Sequence, residues 1–153
     1  MAGGLSLKAR AVGLLSRREH SRLEMSRKLS AHSDDAEAIA KVLDDLVREG
    51  WLSDDRYAQS LVHRRARTHG AARIASELRQ GGIADDAISQ FKTDLRETEL
   101  ERAREVWLKR FADHPPPDAR AFAKQARFLA GRGFSSDVIY RVIGSSPDEF
   151  DEG

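Results

Sequence analysis

The chain contains no cysteine among its 153 residues. This removes disulfide frameworks, thiolate metal sites and cysteine nucleophiles together, and it fits a reducing compartment. Long apolar runs are missing as well. No stretch approaches the roughly 20 apolar residues of a membrane span, and Met1 to Lys8 holds no apolar run of signal-peptide length. The expectation is a soluble cytoplasmic protein, monomeric and without membrane contact. Proline is scarce: three of the four prolines form one run, Pro115-Pro116-Pro117, which forbids helix and makes the one stiff linker. Elsewhere long helical patterns can proceed unbroken.

Charge of either sign is nearly balanced overall, at 26 Lys and Arg against 25 Asp and Glu. The distribution is uneven. Residues 1–80 carry a net +4 and residues 81–153 a net −3, and four acids, Asp148, Glu149, Asp151 and Glu152, stand in the last six positions. The body without them is +5. A basic body with an acidic tail suits an anionic partner, nucleic acid included.

What is present is helical periodicity. Leu7, Ala11, Leu14 and Leu15 share one face of a first helix. Ser21 and Glu24 have the spacing of a capping box opening a second, whose Leu23 and Leu29 are expected inside. Asp34-Asp35 opens a third, lined by Ile39, Val42, Leu43 and Leu46 and closed at Gly50. Gly50, Trp51, Leu52, Ser53, Asp54 and Tyr57 then form a joint. The glycine stops one helix, Ser53 and Asp54 start the next, and the two large apolar residues between them are expected to plug the gap. A Trp51 buried there would cost about 3 kcal/mol or more when truncated to Ala.

From Asp54 the pattern recurs, with Leu61, Ile74, Leu78, Ile88 and Leu95 inward, and Gly81-Gly82 as a stop. Thr98 with Glu101 repeats the capping spacing before Leu100, Ala103 and Trp107, and Asp118 caps the helix that carries Phe122 and Leu129. Register supports a true repeat. Leu29, Leu78 and Leu129 correspond, as do Ile39, Ile88 and Ile139, at separations of 49 and 51. The reading is an all-α chain of three tandem three-helix repeats over 1–50, 51–96 and 97–144, stacked into an elongated, curved body, with an acidic tail over 145–153 expected to be disordered.

Little points to chemistry. His20, His32, His63, His69 and His114 lack ligand spacing, and Asp34-Asp35, Asp54-Asp55 and Asp85-Asp86 sit at helix starts, where the dipole and capping account for them. Neither a catalytic nor a metal site is assigned. The partner-binding candidates are basic: Arg17, Arg18, Arg22, Arg27 and Lys28 around one helix end, Arg64, Arg65 and Arg67 at another, and Lys109 with Arg110 at a third. Basic pairs recurring along a repeat could form a stripe facing phosphates or acidic side chains.

Leu15-Ser16-Arg17-Arg18-Glu19-His20-Ser21, Gly50 to Ala58, Gly70 with Arg73-Ile74, Gly82-Ile83, and Arg132-Gly133-Phe134-Ser135 together resemble the RecX family, regulators of the recombinase RecA. The similarity spans about residues 8–144; Met25 stands where Leu is usual, and the acidic tail is outside the pattern. The resemblance implies a non-enzymatic protein without cofactor. It would bind the RecA filament, contact single- or double-stranded DNA weakly and without sequence preference, and suppress ATP hydrolysis and strand exchange during recombination and repair. The short helix pairs separated by glycine turns also fit a helix-turn-helix DNA-binding transcriptional regulator.

Overall fold

Most helix starts among the described residues are fixed by short side chains that take a free amide. In the computed structural model, which describes residues 4–112 and 114–144, Ser6 accepts from the Ala9 N–H to open α1 (Leu7–Leu15). Ser21 and Glu24 form a reciprocal capping box on α2 (Arg22–Leu29). Asp35 takes two amides of α3 (Ala36–Arg48), and Ser53 accepts from Arg56 at the head of α4 (Asp54–Ala66). There follow α5 (Ala71–Gln80), α6 (Asp85–Glu97) and α7 (Glu99–Phe111). Asp118 caps α8 (Ala119–Gly131) and Ser135 caps α9 (Ser136–Ile143). The described residues are all-helical, with no strand.

The stops are equally local. Gly50, Gly82 and Gly133 adopt φ of +84°, +83° and +93°. Each builds a Schellman closure: Trp51 N–H donates to Leu46 O, Ile83 N–H to Leu78 O, and Phe134 N–H to Leu129 O. The residue after the glycine is buried for Ile83 and Phe134, whereas Trp51 is 45% exposed. This corrects the expected plug. Leu52, 2% exposed, fills the joint instead, while the Arg56 guanidinium holds the Gly50 and Trp51 carbonyls from outside. Leu23 is also exposed rather than inward.

Two compact units divide the chain. The first comprises the described residues up to Leu61 with Leu78–Ala84. Its core packs Ala11, Met25, Leu29, Ile39, Leu43, Leu46 and Leu52. The second comprises Val62–Glu77 and the described residues from Asp85 onward. There α7, α8 and α9 enclose Ala103, Trp107, Phe122, Leu129, Phe134 and Ile139, and the indole N–H of Trp107 donates to buried Gln125 at 2.8 Å. The tail proposed for 145–153 lies outside the described residues.

Thr98 does not cap α7. Its backbone, at φ −111° and ψ 4°, is not extended, and its hydroxyl makes no cap bond. The neighbouring Glu99, 4% exposed, instead accepts from the Ala71 N–H at 2.7 Å. An equivalent bond joins the Arg22 N–H to Asp54 at 2.8 Å. In both cases the first residue of a repeat's opening helix caps the middle helix of the repeat before it.

Gly70 faces a different constraint. A Cβ there would stand 2.3 Å from the Gly133 carbonyl oxygen, a backbone atom that cannot swing away. Gly13, within α1, has nothing within 4 Å of the corresponding position. Gly70→Ala is therefore expected to lower the thermal midpoint clearly, whereas Gly13→Ala should stabilise by about 0.5–1 kcal/mol through helix propensity. Paired denaturation curves check this; an unchanged Gly70→Ala midpoint would contradict the packing described.

Candidate functional site

Two of the helix-start carboxylates are occupied with backbone. Asp35 caps α3 and Asp54 takes the Arg22 amide. Among the described residues no three carboxylate or imidazole side chains converge as a metal site.

The basic candidates separate into two groups. Arg18 forks onto Glu24 at 3.0 and 3.3 Å, Arg22 reaches Asp44 at 2.7 Å, and Arg65 reaches Glu77 at 3.0 Å. Within the first pair, burial opposes the charge on Glu24, but the Arg18 and Ser21 donors outweigh it and hold the carboxyl below its usual range. The same bond raises the Arg18 guanidinium. The second group is Arg17, Arg27, Lys28, Arg64, Arg67, Lys109 and Arg110, all exposed and without a carboxylate partner among the described residues. Exposed ion pairs contribute about 0–1 kcal/mol, so even the paired arginines can exchange partners at small cost.

In unit 1, packing of α1 beside α2 brings Arg17 and Lys28 together with Arg10 and His32 around a groove of about 220 Å³ floored by Leu14 and Leu29. Arg10 and His32 were not among the sequence candidates. Arg10 lies inside α1, away from the helix ends where the basic pairs recur, and only tertiary packing places it near residues some twenty positions on.

In unit 2, Arg110 lies 5.4 Å over the Phe111 ring and 5.5 Å over Phe128, and Arg132 lies 5.1 Å over Phe128. The two rings meet edge to face at 5.5 Å. Burial depresses the His69 pKa, and nearby Arg132, Arg65 and Arg73 depress it further. Arg132 and Arg73 thus extend the basic surface beyond Arg64, Arg65 and Arg67. Arg102 behaves differently: it turns inward, donates to the carbonyls of Ala66, His69 and Leu95, and has its pKa lowered by burial. It is a structural cation.

Models of the first, second and third three-helix domains of RecX match residues 8–46, 53–90 and 97–143 in that order. The chain belongs to the RecX family. A "Regulatory protein RecX" of Leptothrix cholodnii is 52% identical over 147 residues, covering 96% of this chain and 93% of the relative. One of Ralstonia nicotianae is 47% identical over 149 residues, covering 97% and 93%. The crystal structure of RecX from Lactobacillus salivarius shares the fold with a TM-score of 0.71 at 23% identity, covering 96% of each chain. A second crystal structure of a regulatory protein RecX gives the same TM-score at 28% identity over 90% of this chain and 72% of that one. Relatives of this family are named as regulators, not enzymes, and no helix among the described residues is long and apolar enough to cross a membrane.

Within this RecX fold, His20 carries a pH-dependent strain. Its ring is 2% exposed and its Nδ1 lies 3.0 Å from the Arg18 carbonyl, which can only accept, so Nδ1 bears the proton. Nε2 is left buried without a partner among the described residues. Burial first, then the Arg18 and Lys28 charges, lower its pKa, opposed by the hydrogen bond to the Arg18 carbonyl and by Glu24. His69 is lowered as well. The unfolded chain therefore binds more protons in acid, so this contribution is full above the ordinary histidine value of about 6.5 and is lost as pH falls through the lower folded values. Thermal midpoints should drop as pH falls below the ordinary histidine value, and His20→Gln should flatten that slope. An equal slope in the variant would contradict the assignment.

Proposed function

We propose that this chain is a non-catalytic regulator that binds the RecA recombinase and its filament on DNA. In this reading it lowers ATP hydrolysis and strand exchange, and so modulates recombination and DNA repair. The observation that carries the proposal is the ordered match of three RecX domains, joined by relatives named regulatory protein RecX that align over more than nine-tenths of both chains. The physical reading agrees. Carboxylates at the repeat joints are spent on backbone amides, while cations such as Arg17, Lys28, Arg64 and Arg67 are left exposed for an anionic filament. DNA contact in this account is weak, phosphate-directed and independent of sequence. The protein acts in the cytoplasm as a monomer.

Excess protein added to RecA on single-stranded DNA is expected to lower the rate of ATP hydrolysis. Replacing Arg17, Lys28, Arg64 and Arg67 by Gln should leave helix content intact and weaken that inhibition. An unchanged hydrolysis rate at saturating protein would overturn the proposal, and tight preference for one duplex sequence at fixed salt would mark a transcriptional regulator instead.

A further inference from the structure

The groove between α1 and α2 differs from the other depressions of unit 1. Two larger ones are lined by charges of both signs and include charged groups held by the backbone: Asp54 accepts from the Arg22 N–H, and Arg56 donates to the Gly50 carbonyl. The α1–α2 groove presents Arg10, Arg17 and Lys28 with the His32 imidazole and no carboxylate. None of these side chains makes a hydrogen bond or ion pair among the described residues, although Lys8, Arg18, Arg22, Arg48 and Arg56 of the same unit are all paired. Helix dipoles account for Lys28 in the last turn of α2 and help explain Arg17 just past α1, but not Arg10 inside α1.

The groove is also apolar inside, where Leu14 and Leu29 meet. Its volume of about 220 Å³ falls below the roughly 300–1,000 Å³ of small-molecule sites. It holds about seven waters' worth of space at roughly 30 Å³ each, which is room for one large side chain. A phosphodiester strand needs cations but no apolar floor, and no Phe, Tyr or Trp ring lines the groove to stack a base. Charge and shape together describe an acidic peptide with one apolar anchor.

We propose that this groove docks an acidic segment of a protein partner, which inserts one apolar side chain onto Leu14 and Leu29 while its flanking carboxylates meet Arg10, Arg17 and Lys28. The proposal deepens the reading of the chain as a protein-binding regulator, and its test contains no recombinase, so either can fail alone. The probe is a fluorescein-labelled peptide with a central Leu between two Asp-Glu pairs, titrated by anisotropy into the full chain. The Leu peptide should bind, and its Gly counterpart should bind about tenfold more weakly, the factor one buried Leu side chain commands. Arg17→Gln with Lys28→Gln, both exposed positions, should keep the parental melting curve and lose about tenfold in peptide affinity. A short oligothymidylate should fail to displace the peptide. Absence of binding, equal affinity for the Leu and Gly peptides, or parental affinity in the folded double variant would each overturn the proposal. Displacement by oligothymidylate at peptide-like concentrations would overturn it too, marking a phosphate surface instead.

Discussion

A carboxylate handed from each repeat to the one before it holds this structure in register. The first amide of a helix has no partner in its own helix, and for α2 and α5 that amide, at Arg22 and Ala71, is taken by Asp54 and Glu99, each the opening residue of the next repeat's first helix. The two donors are 49 positions apart and the two acceptors 45, so the bond recurs with the repeat. Its necessity is greater in the second case. Ser21, before α2, supplies a cap of its own, but the corresponding position before α5 is Gly70, held to glycine by the Gly133 backbone. With no side chain at the N-cap, Glu99 is the acceptor that remains.

Arginines from the same opening helices reinforce these joints. Arg56 bonds Glu19 and the carbonyls of Gly50 and Trp51. Arg102 bonds the carbonyls of Ala66, His69 and Leu95. The joints thus draw on carboxylates and on a few arginines, and most of the remaining cations face outward. In unit 1 they gather around an apolar groove, and in unit 2 Arg110 and Arg132 share the Phe128 ring. A near-neutral chain can in this way present locally cationic faces, which suits a regulator that acts by contact.

Features governed by a few adjacent residues were legible in the sequence. The stops at Gly50 and Gly82, the Ser21–Glu24 box and the caps at Asp35 and Asp118 depend on residues close together in the sequence and stand as read. The Thr98–Glu101 spacing misled because the chain passes from α6 into α7 without the extended backbone a cap requires. Glu99 and Arg102 look like surface charges in sequence; their partners lie about thirty residues away. Trp51 misled for a related reason, since the apolar plug of that turn falls one residue later, on Leu52. Among the site candidates, Arg17 and Lys28 were legible as helix-end cations, whereas their convergence with Arg10 and His32 depends on how α1 packs beside α2.

The most direct measurement is native-state hydrogen exchange at the Ala71 amide, compared between the parent and Glu99→Ala. If Glu99 completes α5, the parent amide is strongly protected, and the variant loses protection there along with about 1–3 kcal/mol of stability, while the Arg22 amide exchanges as before. Free exchange of Ala71 in the parent, or equal protection and stability in both proteins, would contradict the account.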